Sequence, residues 1–472
     1  MILKRFYEDR IAQASFLLGC SASGEAIVID PNRAVDRYIH AANAEGMRIT
    51  SVTETHIHAD FVSGSRELSR RTGASLCVSA EGGPDWQYSF AKEPGVRPLR
   101  SGDSIRAGKI RLDVQHTPGH TPEHLTFVLT DEAASPEPVG AFTGDFIFAG
   151  DVGRPDLLER AAGISGTMEV GARQLFTSLR RFRAMPDRLL LWPGHGAGSA
   201  CGKSLGGMPV STLGYEKLAN WALSVDEESE FVKRVLEDQP EPPRYFAEMK
   251  RINKLGAGAA PGKPIHLAPD TLEVAVTAGV KAQVIDLRPS SDFASAFIPG
   301  TVSIPLDKNF LKWAGALLDH NKPTYLIGAS EDQAAQAAAA LALIGVDKIS
   351  GWYDHGALDL WRGRHGKLAA IEQLSVSQWQ HRPKHLVLDV RTAMECRAGH
   401  IPGALHIPLG RLPEAAGKLP LDSAVIVHCQ GGARSAIALS LLMKLGFRNL
   451  INLNDGFAEY QRLGLPIETG GA

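Results

Sequence analysis

Thr55-His56-Ile57-His58-Ala59-Asp60-Phe61 is the stretch on which the N-terminal half of the chain turns. It follows the apolar run 49–54, which reads as a β-strand, so two imidazoles and a carboxylate fall just past a strand end. Layered α/β proteins carry their reactive groups on such loops. The same form recurs along the chain in Thr117-Pro118-Gly119-His120, Thr143-Gly144-Asp145 and Pro193-Gly194-His195-Gly196. Each has a short apolar strand, a turn and a side chain able to ligate a metal. A single loop histidine is ordinarily a satisfied polar group, whereas four blocks of this form point to a metal centre. Nearby, 26–31 reads as a strand ending in a turn, and 65–71 as a helix closed by Gly73.

The chain has 472 residues, enough for two to four domains, and its 44% hydrophobic content suits packed cores. A net charge of −2 gives no electrostatic case for nucleic acid or an anionic membrane. No apolar run approaches the ~18 residues of a membrane span. The first ten residues lack the apolar core of a signal peptide, so the expected location is cytoplasmic. Cys20, Cys77, Cys201, Cys396 and Cys429 are odd in number and scattered, which is no disulfide framework. In a reducing compartment a special cysteine serves chemistry. Cys20 and Cys77 lie in apolar strand contexts and read as small core residues. Proline and glycine crowd 239–264 and mark a linker or long loop.

Beyond it the chain repeats itself. Val284-Ile285-Asp286-Leu287-Arg288 returns as Leu388-Asp389-Val390-Arg391, and Ile298-Pro299-Gly300 and Ile304-Pro305-Leu306 return as Ile401-Pro402-Gly403 and Ile407-Pro408-Leu409. Two strand–helix domains of the parallel-sheet type follow. In the second, the strand 425–428 runs into Cys429-Gln430-Gly431-Gly432-Ala433-Arg434, with a helix beginning near Ser435. Converging backbone N–H groups favour an anion there, Arg434 adds positive charge, and Cys429 reads as a nucleophile with a stabilised thiolate. The first repeat has no cysteine, and its corresponding loop, 328–332, carries Glu331 and Asp332 where an anion cradle should be positive. That repeat has no thiol nucleophile on its loop and is expected to serve architecture, such as spacing or oligomer contacts.

The four N-terminal blocks, over residues 1–245, resemble the metallo-β-lactamase superfamily, whose fold is a four-layer αβ/βα sandwich. The usual motif is His-x-His-x-Asp-His, and Phe61 stands at its last position. Phenylalanine cannot ligate a metal, which argues against the di-zinc hydrolases and for the mononuclear iron branch, the persulfide dioxygenases. The resemblance implies His56, His120 and Asp145 as ligands of one Fe(II) per chain. Two histidines and one carboxylate leave adjacent positions for substrate and dioxygen, as non-haem Fe(II) requires. His58, Asp60 and His195 would orient the ligands or hold metal-bound water. Relatives carry a Gly-Arg-x-Asp stretch like Gly153-Arg154-Pro155-Asp156, so Arg154 either holds a substrate carboxylate or braces Asp151 or Asp156. Tyr215 falls in the region that lines the pocket in relatives and is a second candidate for substrate contact. Cys201, in a glycine-rich loop with Lys203 beside it, reads as accessible and as a candidate persulfide carrier.

The second repeat, with Asp389, Arg391, the segment Gly399-His400-Ile401-Pro402-Gly403 and the Cys429 loop, looks like a rhodanese. Cys396 falls where relatives have a core side chain and reads as structural. The expected order is a metallo-β-lactamase-type domain (1–245), an inactive rhodanese-like domain (262–368) and an active one (372–472). The whole resembles the persulfide dioxygenase–rhodanese fusions of sulfide detoxification. That resemblance implies oxidation of a small-molecule persulfide by O2 to sulfite and free thiol. It also implies sulfur transfer through Cys429 that makes thiosulfate, or the reverse. The rivals are a zinc thioester hydrolase of the glyoxalase II type and a non-catalytic sulfur-binding scaffold. The sequence leaves open the thiol that carries the persulfide, and whether the chain forms a homo-oligomer.

Overall fold

Leu125, Phe127 and Leu129 alternate with Thr126, Val128 and Thr130, and a period of two gives a strand two distinct faces. In a computed structural model, which describes residues 1–162, 166–379, 385–421 and 424–470, this run is an inner strand of one of two six-stranded sheets. The first sheet is ordered β1 (Ile2–Glu8), β2 (Gln13–Cys20), β3 (Glu25–Ile29), β4 (Arg48–Thr53), β5 (Ser75–Ser79) and β6 (Val96–Leu99). The second holds β7 (Ser104–Ala107), β8 (Ile110–His116), β9 (Leu125–Asp131), β10 (Gly140–Gly144), β11 (Leu190–Pro193) and β12 (Ser211–Thr212), again as neighbours in that order. Leu125, Phe127 and Leu129 meet Phe16, Ile27 and Ile29 of the other sheet in a shared core. Val128, on the opposite face of β9, packs with Leu175 and Leu179 of the helix Thr167–Phe182. Tyr38 and Leu68, from helices on the outer side of the first sheet, close the fourth layer. This is the αβ/βα sandwich. The helix Ser65–Thr72 ends at Gly73, whose φ of 72° supplies the left-handed turn.

The chain divides into two units, Met1–Ala260 with Ala342–Gly345, and Pro261–Leu341 with Val346–Ala472. The stretch 239–264 is more than a linker. Between its proline-rich start and glycine-rich end lies the helix Phe246–Leu255, which belongs to the first unit and buries Phe246, Met249 and Asn253. Its ten residues contain neither proline nor glycine and bury every third or fourth position, a local signal masked by the flanks.

The second unit holds two parallel sheets. One is ordered β14 (Val302–Ser303), β13 (Gln283–Asp286), β15 (Thr324–Ile327), β16 (Ile349–Tyr353). The other is ordered β17 (Glu372–Leu374), β21 (Leu450–Leu453), β20 (Val425–His428), β18 (Leu386–Asp389), β19 (Leu405–His406). Both repeats are fixed by the same brace. Arg288 donates to the Asp286 carboxylate at 2.7 Å and to the Ala296 carbonyl, and Arg391 to Asp389 at 2.6 Å and to the Gly399 carbonyl. Phe293 and Phe297 of the first repeat share a core with Leu388, Val427 and Ile437 of the second. Among the described residues no helix is long and apolar enough to cross a membrane.

Candidate metal centre and sulfur-transfer site

Strand ends of both sheets bring the four sequence blocks together. His56 follows β4, His120 lies between β8 and β9, Asp145 follows β10 and His195 follows β11. Gly144 makes the turn into Asp145 with a φ of 49°, and a Cβ there would press on the Thr55 hydroxyl and the His124 ring. One ligand atom each of His56, His120 and Asp145 lies within 4.8 Å of the others, and all three residues are buried. Asp145 Oδ2 is 3.9 Å from His56 Nε2 and 3.5 Å from His120 Nε2. Its Oδ1 is 3.4 Å from His195 Nε2, which is 3.2 Å from Asp60 Oδ2.

The outer ring nitrogens set the tautomers. His120 Nδ1 donates to the Arg154 carbonyl at 3.0 Å and His195 Nδ1 to the Ala12 carbonyl at 3.1 Å. His56 Nδ1 sits 3.0 Å from the Thr55 hydroxyl, whose own proton goes to Asp30 Oδ2. All three rings turn Nε2 towards Asp145, and in His56 and His120 the Nδ1–H contact leaves Nε2 free for metal ligation. Burial, with the charges of neighbouring histidines, holds His56 well below the usual imidazole range. Burial, then Lys250, brings His120 down to about 3. These rings stay neutral and ready to bind. The side-chain oxygens of Asp60 and Asp145 and the Nε2 of His195 are buried without hydrogen-bond partners. Orphaned acceptors at one point are costly unless a cation satisfies them, so the donor set fits a divalent metal.

The remaining sequence candidates fall out differently. His58 packs beside His56, its Nε2 3.1 Å from Asp30 Oδ1 and its Nδ1 buried without a partner; burial pushes its pKa down, but the Asp30 carboxylate lifts it to about 9. Phe61 is fully buried and its ring packs 4.4 Å from that of His58. Arg154 is enclosed. Its fork meets both Asp156 oxygens at 2.7 Å and also donates to the carbonyls of Ala200 and Pro240, so it braces the loop. Tyr215 is half exposed. The tyrosine near the cluster is Tyr245, buried, with its hydroxyl pushed upward by burial first and then by Asp60 and Cys201. Cys201 is not accessible. Its loop folds inward, leaving the thiol 2% exposed beside Asp60 and His195. Burial and the Asp60 and Asp145 carboxylates drive its pKa well up, and the Lys203 ammonium donates to the Arg234 carbonyl.

Several residues at the centre escaped the sequence reading. Asp30 accepts the Thr55 N–H and hydroxyl and holds His58, with a strained φ of 50°. His124 stacks on His56 and accepts the Asp145 N–H. Asn253 donates to the carbonyls of His58 and Phe61 and accepts the Ser63 N–H, holding the metal loop from the far side. Lys250, one turn earlier on that helix, stands over the Trp86 ring with no hydrogen-bond partner and is lowered to about 8 by burial. Asp30 lay in the run 26–31, read only as a strand ending in a turn, and none of the four has a motif of its own.

At the C-terminal end of β20, Cys429 is buried at 2% exposure and the Ser435 hydroxyl donates to its sulfur at 3.7 Å. Gln430, Gly431, Gly432 and Ala433 form the loop, and the helix Ala433–Lys444 starts from Gly432 at a φ of 84°. Arg434 touches the thiol, yet its fork is bidentate to Glu395 at 2.8 and 2.7 Å. In the first repeat the matching loop is closed on itself, since the Gln333 side chain accepts the Ala329 N–H at 2.6 Å.

Known proteins divide in the same way. Residues 9–195 match the metallo-beta-lactamase superfamily, and residues 269–361 and 372–463 match the rhodanese-like domain. Persulfide dioxygenase ETHE1 of Bos taurus is 30% identical over 238 residues, 49% of this chain and 80% of that protein. A hydroxyacylglutathione hydrolase of Rhodospirillum rubrum is 32% identical over 181 residues, 38% of this chain and 60% of its own. A solved metallo-beta-lactamase from Staphylococcus aureus subsp. aureus COL is 41% identical with a TM-score of 0.67, covering 75% of this chain and 99% of that one. The chain belongs to the metallo-β-lactamase superfamily. Within it, ETHE1 homology and two C-terminal rhodanese-like domains make the chain a member of the persulfide dioxygenase–rhodanese fusions.

Proposed function

We propose that the first unit oxidises a low-molecular-weight persulfide with O2, and that Cys429 transfers sulfane sulfur between persulfide, sulfite and thiosulfate. The observation that carries the reading is the buried cluster of His56, His120 and Asp145, with the Asp145 carboxylate left without a hydrogen-bond partner. His56, His120 and Asp145 would hold one Fe(II). Iron held there would supply the redox chemistry that lets an anionic persulfide react with dioxygen. One persulfide anion, one dioxygen and one water then give a thiol, a sulfite dianion and one proton. Thr55, the Arg154 carbonyl and the Ala12 carbonyl keep the rings aimed, while Asp60 and His195 accept protons or hold water beside Asp145. The buried surroundings exclude bulk water, which protects the reacting sulfur.

The thioester hydrolase remains the rival, since the Rhodospirillum rubrum relative is named a hydroxyacylglutathione hydrolase. Phe61 speaks against it by removing one ligand of a second metal. Purified protein should contain about one iron per chain and consume oxygen with a persulfide. Two tightly held zinc ions, with thioester hydrolysis and no oxygen uptake, would overturn the reading.

A further inference from the structure

Cys429 opens onto a cavity of about 320 Å³, and half of its wall comes from the cysteine-free repeat. The helix Phe310–Leu317 buries Phe310 and Leu311 and turns Lys312 and Trp313 towards the Cys429 loop, with Asp307 just before it. Trp313 also packs on the core of the second repeat. The volume matches a small organic ligand.

The charges in this cavity are unevenly satisfied. Arg434 is neutralised by Glu395. Lys312 has no carboxylate partner among the described residues; its ammonium lies 5.0 Å over the Trp313 ring. Partial burial, then the neighbouring Arg434 guanidinium, lowers its pKa, while Glu395 opposes them. The Asp307 carboxylate accepts the Asn309 N–H at 2.7 Å and faces no cation among the described residues. One wall of the cavity thus offers a spare cation, a spare carboxylate and an aromatic face. A free α-amino acid group complements all three.

We propose that the cysteine-free repeat is the substrate-selecting half of the sulfur-transfer site, and that the cavity takes a thiol, or its persulfide, of the amino-acid type. Its carboxylate would meet Lys312, its ammonium Asp307, and its body the Trp313 ring, with the sulfur directed at Cys429. The inference rests on the reading of Cys429 as a sulfur carrier. In the transfer, the Cys429 thiolate attacks the outer sulfur of R–S–S⁻ and the S–S bond breaks. The departing thiolate takes a proton, leaving Cys429–S–S⁻ and RSH with no net oxidation. Running backwards, the loaded cysteine delivers sulfur to the thiol.

Four thiols of similar size separate the contributions: cysteine, 3-mercaptopropionate, cysteamine and 2-mercaptoethanol. Cys429 is first loaded from thiosulfate and the added sulfur confirmed by mass. Transfer to each thiol is then measured at equal thiolate concentration. Cysteine should exceed 2-mercaptoethanol by about tenfold or more in kcat/KM, in line with hydrogen bonds to charged groups. Lys312→Gln should remove the advantage of the two carboxylate thiols, and Lys312→Arg should restore it. Asp307→Asn should remove the advantage of the two ammonium thiols. Equal rates for all four thiols, or unchanged ratios in the variants, would overturn the proposal. Failure of the wild type to load at all would overturn the carrier reading beneath it.

Discussion

Arg154 carries two jobs at opposite ends. Its guanidinium is fully buried against Asp156, and its backbone carbonyl receives His120 Nδ1–H. Removing the fork strands a buried carboxylate, which costs about 3–5 kcal/mol for a broken buried pair. Arg160 still reaches Asp156 at 3.1 Å, so the lower end applies. Arg154→Ala should therefore lower stability by about 3 kcal/mol in urea unfolding and loosen iron by about 10-fold or more through His120. An Arg154→Ala protein of wild-type stability that lost only affinity for persulfide would restore the substrate-carboxylate role. A Gly-Arg-x-Asp stretch reads both ways because sequence does not record which carboxylate a five-donor fork meets.

The Cys429 loop depends on the way an element ends. The helix Ala433–Lys444 can begin only because Gly432 takes a left-handed φ, and a Cβ there would collide with the Asn454 carbonyl. Gly432→Ala should shift the loop by a fraction of an ångström or more. Sulfur loading of Cys429 from thiosulfate should then fall about 100-fold, the scale of a 1 Å misplacement. Oxygen uptake with a persulfide should stay near wild type, and loading at the wild-type rate would refute the steric argument. The strand–loop–helix around Cys429 was legible because an apolar run straight into a cysteine and paired glycines each leave a local mark. The helix Phe246–Leu255 was not, because proline and glycine on both sides hid its period.

Two chemistries in one chain should be separable by one atom. Serine cannot form a persulfide, so Cys429→Ser should keep oxygen consumption while sulfite accumulates in place of thiosulfate. With thiosulfate plus thiol as the input, the same variant should consume almost no oxygen. Chromatography of sulfite and thiosulfate at matched oxygen uptake reads the outcome. An unchanged thiosulfate yield would move the carrier role to another cysteine, with Cys201 next in line beside Asp60 and His195.

Residue type and short-range order sufficed for the domain order, the tandem repeat, the four ligand-bearing turns and the cysteine loop, because each rests on neighbours within a few positions. The family resemblance, in turn, showed Phe61 where its motif has a histidine. Burial, pairing and facing direction came from the fold alone. Cys201 turned inward although glycines surrounded it, since the loop packs its thiol against Asp60 and Asp145. His58 found a carboxylate partner in Asp30, twenty-eight residues earlier. The first repeat looked silent because it lacks cysteine, yet Lys312 and Trp313 reach the Cys429 cavity from more than a hundred residues away. Contacts across such separations are set by which surfaces the chain buries together, and no local pattern encodes them.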